Sequence, residues 1–118
     1  MAGITISDAT HDRVASMWSE CGIQFRSNLV YEGGEIPLHA HGYDHVALVT
    51  HGWFSVTEIA PNGTQQVYQM ASKDFVPGDV MAFRSIGYRK TILAGYKHLF
   101  RLIESHDQPG EVLCMWGE

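Results

Sequence analysis

The sequence predicts an all-β barrel or sandwich, and three observations carry that expectation. Most of the chain breaks into runs of five to nine residues with loose apolar–polar alternation, the period of a half-buried strand. Gly, Pro and Asn clusters punctuate these runs at Gly33-Gly34, Gly42-Tyr43-Asp44, Pro61-Asn62-Gly63, Pro77-Gly78-Asp79 and Gln108-Pro109-Gly110. Helical spacing occurs once: Val14, Met17, Trp18 and Cys21 share one helix face.

That short N-terminal helix has Thr10 as a candidate cap, Asp12 in its first turn and Gly22 at its end. Strands are expected over 24–32, 35–40, 45–50, 53–60, 64–72, 80–84, 88–94 and 97–105, with 111–116 as one more. Met70, Met81, Phe83 and Phe100 read as core, and Tyr96 as ordinary barrel packing. No repeat or linker interrupts the chain. The reading is therefore one domain over 1–118, with a helical segment at 1–23, the barrel at 24–105 and a C-terminal extension at 106–118. Asn62-Gly63-Thr64 fits a glycosylation sequon, but a hairpin turn explains it better.

A chain of 118 residues with 45% hydrophobic residues can bury a core without staples. Its net charge of −5 and lack of a Lys/Arg cluster argue against nucleic acid and acidic membrane surfaces. No apolar run reaches a membrane span, and the N-terminal residues show no signal-peptide pattern. Cys21 and Cys114 match no metal or redox spacing and read as reduced thiols, with a disulfide as the alternative; the expected location is cytoplasmic.

His39-Ala40-His41 is the most informative triplet. On a strand, residues two apart face the same side about 6.6–7 Å from one another, so two imidazoles so placed can converge on one ion. If the Gly42-Tyr43-Asp44 turn folds the chain back, His45 joins them. Three such ligands would leave coordination positions open, as a catalytic metal requires. Surface or satisfied core histidines are the plainer alternative.

Gly33, five residues, His39-Ala40-His41, three residues, His45, six residues, Gly52: this spacing resembles the first motif of the cupin superfamily. The resemblance spans about 24–105 and implies a cupin-type double-stranded β-helix, or jelly-roll, barrel. The family usually has Glu where this chain has His45. Phe75-Val76-Pro77-Gly78-Asp79-Val80 resembles the turn of the second motif, but Ser85-Ile86-Gly87-Tyr88-Arg89-Lys90 departs from the family's Pro-x-Gly-x-x-His, with Lys90 at the last ligand position. The resemblance thus implies a divalent ion (Fe, Ni, Mn or Zn) held by His39, His41 and His45, as three-histidine cupin dioxygenases hold theirs with a different arrangement.

Lys90 is then expected to point inward and to meet either Asp44 or an anionic group of a ligand, because residues 80–103 contain no acid. Tyr43 and Tyr88 are candidates for lining the ligand pocket. His98, one strand after Lys90, either enters that pocket or lies at the surface, the surface being the simpler expectation. Asp44 either holds a ring N–H of a ligating imidazole or caps its turn. The cupin resemblance admits a metal-dependent dioxygenase, lyase or isomerase on a small polar substrate. It equally admits a non-catalytic module for a small anion or sugar, or an accessory protein with a degenerate site. A homodimer is expected, with the apolar tail Val112-Leu113-Cys114-Met115-Trp116 as material for its interface.

Overall fold

The computed structural model describes residues 23–73, 75 and 86–117. The expected N-terminal helix and the expected strand at 80–84, with Met81 and Phe83, lie outside the described residues. Among the described residues eight strands follow in order: β1 (Ile23–Val30), β2 (Glu35–His39), β3 (His45–His51), β4 (Trp53–Ile59), β5 (Gln65–Ala71), β6 (Arg89–Ile92), β7 (Lys97–Glu104) and β8 (Gly110–Gly117).

The strands form two four-stranded sheets, β1-β8-β3-β6 and β2-β7-β4-β5. All their pairings are antiparallel. Successive strands β2, β3 and β4 alternate between the sheets, which is the crossing pattern expected of a jelly roll. Alternation explains the burial. Phe54 and Val56 on β4, and Phe100 and Leu102 on β7, are buried at every second position. They meet Val30, Ala47, Val49, Met70, Ile92 and Val112 in one core. Met70 and Phe100 are core as expected, and Tyr96 is partly buried against it.

The C-terminal residues take a different place from the one expected. β8 lies between β1 and β3, paired to both. Val112 and Leu113 are almost completely buried, with Cys114 a buried free thiol beside them. The segment read as an extension is an interior strand, and most of the apolar tail proposed for a subunit interface is spent on the protein's own core. A strand covered on both sides and both faces demands a continuous apolar run, which 112–116 supplies.

Two glycines fix where the sheets close. Gly52, between β3 and β4, has φ +93°, and a side chain there would press on the Gly110 Cα and on Leu102 at 3.2 Å. At Gly110 a Cβ would meet Phe54 Cζ at 2.6 Å and Leu102 Cδ1 at 2.7 Å. The β4–β5 hairpin turns through Gly63 at φ +87°, with the Thr64 N–H donating to Asn62 Oδ1 at 2.9 Å. Among the described residues no helix is long and apolar enough to cross a membrane.

Candidate metal centre

Strand register gathers the histidines. His39 on β2 stands directly opposite His98 on β7, and His98 stands opposite Glu58 on β4. Paired residues of neighbouring strands share a face, so these three form one row across the second sheet. His41 follows β2 in the turn, where its carbonyl accepts a hydrogen bond from the Gly95 N–H at 2.9 Å. His45 opens β3 on the facing sheet.

The four imidazoles form a compact cluster. Ring centroids lie 4.2 Å apart for His39–His98, 4.8 Å for His39–His41, 4.8 Å for His41–His45 and 5.0 Å for His45–His98. One ring nitrogen from each of His39, His41 and His98 lies within 4.8 Å of the other two. His98 and His45 are buried, at 1% and 3% exposure, while His39 and His41 are partly exposed toward the cavity mouth. His98 is therefore an interior residue, against the simpler expectation of a surface one.

Backbone carbonyls orient two of the rings. His39 Nδ1 lies 2.7 Å from the Pro37 carbonyl, and His98 Nδ1 lies 3.2 Å from that of Tyr96. A carbonyl only accepts, so each Nδ1 carries a proton, and in the neutral form of the ring Nε2 is the nitrogen left with a lone pair. His98 Nε2 and both nitrogens of His45 are buried with no hydrogen-bond partner among the described residues. Unpartnered buried ring nitrogens are costly, and a cation would satisfy the lone pair of His98 Nε2 and that of one His45 nitrogen. Burial, reinforced by the neighbouring rings, pushes His45 and His98 down to about 4; for His98 the Tyr96 carbonyl and Glu58 oppose the shift. Burial also lowers His41, with His39 and Arg26 acting in the same direction. At neutral pH these three rings are uncharged, the form that ligates a metal. The residues present thus fit a divalent ion.

A cavity of about 210 Å³ adjoins the cluster, lined by Arg26, Asn28, His39, His41, Tyr43, His45, Cys114 and Trp116. Tyr43 stacks on His41 with centroids 5.0 Å apart and leans on Trp116 at 5.2 Å, so it lines the pocket. Tyr88 does not. Its ring meets Lys73 and Arg89 at 5.4 and 5.9 Å, four residues before Ile92, the partner of His45.

Lys90 points inward, to Glu58 rather than to Asp44. Its Nζ donates to Glu58 Oε2 at 2.7 Å and lies 4.0 Å from the Tyr68 ring centroid. β6 and β4 belong to facing sheets, so the acid comes from a strand distant in sequence. Asp44 Oδ1 accepts the Ala94 N–H at 2.8 Å, capping the β6–β7 turn. Main-chain carbonyls orient two of the rings, and Asp44 acts on His45 through its charge.

No protein-family model matches the sequence, and no curated protein matches it. Solved structures do. An oxalate oxidase in complex with the substrate analogue glycolate superposes with TM-score 0.61 at 13% identity, over 83% of this chain and 43% of that one. A hydroquinone 1,2-dioxygenase in complex with Cd2+ and 4-hydroxybenzonitrile gives 0.56 at 15%, over 82% and 58%. The cupin domain of Drosophila melanogaster CENP-C gives 0.52 at 12%, over 80% and 59%. The chain has the cupin fold. It spans roughly two fifths to three fifths of the length of these neighbours. At such identities the cupin likeness concerns the fold, and the chemistry must be argued from the cluster itself.

Proposed function

We propose that this cupin-fold protein binds a divalent metal through His39, His41 and His98, with His45 as the fourth ring closing the cluster, and that it is a dioxygenase-like enzyme for a small polar substrate. The observation that carries the reading is the convergence of ring nitrogens, two of them aimed by main-chain carbonyls. The set differs from the His39, His41 and His45 expected from the sequence by bringing in His98 from β7.

Imidazole donors suit Fe, Ni, Cu and Zn. A neutral donor set leaves the full charge of the ion uncompensated, and an ion so held supplies Lewis acidity and open positions for substrate. The protein's own residues supply the rest. Tyr43 and Trp116 wall the approach with apolar surface, and Arg26 and Asn28 place polar groups at the mouth. The oxygenase reading draws on the oxidase and dioxygenase among the fold's neighbours.

Thermal shift with added Fe(II), Ni(II), Mn(II) or Zn(II) tests the ligand set. Replacing His39, His41 or His98 with Ala is expected to abolish the shift; a shift retained in all three variants would remove the site. Oxygen uptake by the Fe(II)-loaded protein with hydroquinones tests the reaction. The reading keeps a homodimer; light scattering giving a monomer mass would remove that part.

A further inference from the structure

Two rows of residues face each other across the interior. On the first sheet Arg26, Cys114, Ala47 and Lys90 are register partners from β1 through β8 and β3 to β6. On the second, His39, His98 and Glu58 run from β2 through β7 to β4. Ala47 and His98 are completely buried, so both rows look inward. Each end of the first row carries a cation. Lys90 is neutralised by Glu58 on the facing sheet. At the other end Arg26 lines the cavity together with His39, His41 and His45, and the described lining of that cavity contains no carboxylate.

Arg26 makes no ion pair among the described residues. Glu35, the acid that shares the adjoining groove with it, is paired with Arg101 at 3.7 Å. Asn28, the neighbouring polar residue on β1, is occupied: its amide donates to the Val112 carbonyl at 3.3 Å and to Cys114 Sγ at 3.7 Å. The guanidinium is close enough that its charge lowers both His41 and Cys114. In a chain of net charge −5, an exposed cation with no ion pair among the described residues, on the lining of a small cavity, offers a seat for an anion. The planar fork of arginine matches a carboxylate in two parallel hydrogen bonds.

We propose that Arg26 is the substrate anchor of this site, and that the cavity takes a small carboxylic acid whose carboxylate meets the guanidinium while its body lies between the Tyr43–Trp116 wall and the histidines. This inference rests on the proposed metal centre for its catalytic meaning, but the anchor itself does not need the ion. It gives Arg26 the role that the sequence suggested for Lys90, whose charge is already satisfied.

Calorimetric titration of benzoate, with benzamide as its neutral counterpart, tests the anchor. Both are run on the protein as purified and after chelator treatment, with metal content measured in parallel. Wild type is expected to bind benzoate in preference to benzamide. Arg26→Met is expected to weaken benzoate about tenfold or more, with benzamide and metal content unchanged, and Arg26→Lys to fall between. Arg26 is exposed, so neither variant threatens folding. Benzoate bound equally by wild type and Arg26→Met, or not bound by wild type at millimolar concentration, would overturn the proposal. Arg26-dependent binding that survives chelator treatment supports the anchor, whereas protein that carries no metal as purified counts against the metal reading alone.

Discussion

Replacing Lys90 with Met removes an ammonium while keeping most of its stem, and the structure sets the size of the effect. The Glu58 side chain is 7% exposed and that of Lys90 34%. Removing one partner of a fully buried pair costs roughly 3–5 kcal/mol, because a charge is left buried and alone. Water already reaches a third of Lys90 and can approach Glu58 through the space it leaves, which lowers the figure to about 2–3 kcal/mol. Loss of the cation over the Tyr68 ring adds about 0.5–1 kcal/mol. The total, about 3 kcal/mol, corresponds to a fall in Tm of roughly 10 °C for a domain of this size. Urea denaturation at pH 7 reads it as a lower midpoint with unchanged slope. The double variant Lys90→Met with Glu58→Met, which leaves no charge behind, is expected to recover at least half of the loss. A single variant that loses less than about 1 kcal/mol, or a double variant no more stable than the single, would refute the view that this pair is an internal staple between the sheets.

Two further predictions follow from burial. His45 and His98 sit near 4 in the folded protein against an ordinary 6.5. The unfolded chain therefore binds protons first, and their contribution is intact above about pH 6.5 and lost as pH falls toward 4. At pH 5.5 each is expected to cost the metal-free protein about 1.4 kcal/mol, and the His45→Gln, His98→Gln double variant should show a flatter loss between pH 7 and 5.5; an equal loss in both proteins would contradict this. Gly110→Ala would place a methyl against Phe54 and Leu102; overpacking of about 1–3 kcal/mol is expected by urea denaturation, and an unchanged midpoint would show that the sheets can part there.

The strands were legible because alternation and turn residues are local signals. β2 to β5 and β7 begin and end within a residue or so of the expected bounds. His39, His41 and His45 were legible because they sit on one short β-turn-β segment. The missed features come from pairing across the sequence. His98 and Glu58 stand opposite each other on β7 and β4, forty residues apart in the chain. A local signal existed for both: His98 lies two before Phe100 and Glu58 two after Val56, each on the face that the core residues mark as inward. Likewise the unbroken apolar run at 112–116 is the mark of a doubly flanked strand rather than of an extension. The partner of Lys90 is invisible among its sequence neighbours, because a sandwich supplies partners from the facing sheet.

Metal analysis of protein purified without a histidine tag decides whether the histidine cluster holds an ion. The account predicts close to one divalent ion per chain in wild type and its loss in the His39→Ala, His41→Ala and His98→Ala variants. Chelator-treated wild type should regain stability on readdition, by about 2.7 kcal/mol at a hundred times the dissociation constant. Wild-type protein that carries no metal and gains no stability from added Fe(II), Ni(II), Mn(II) or Zn(II) would contradict it.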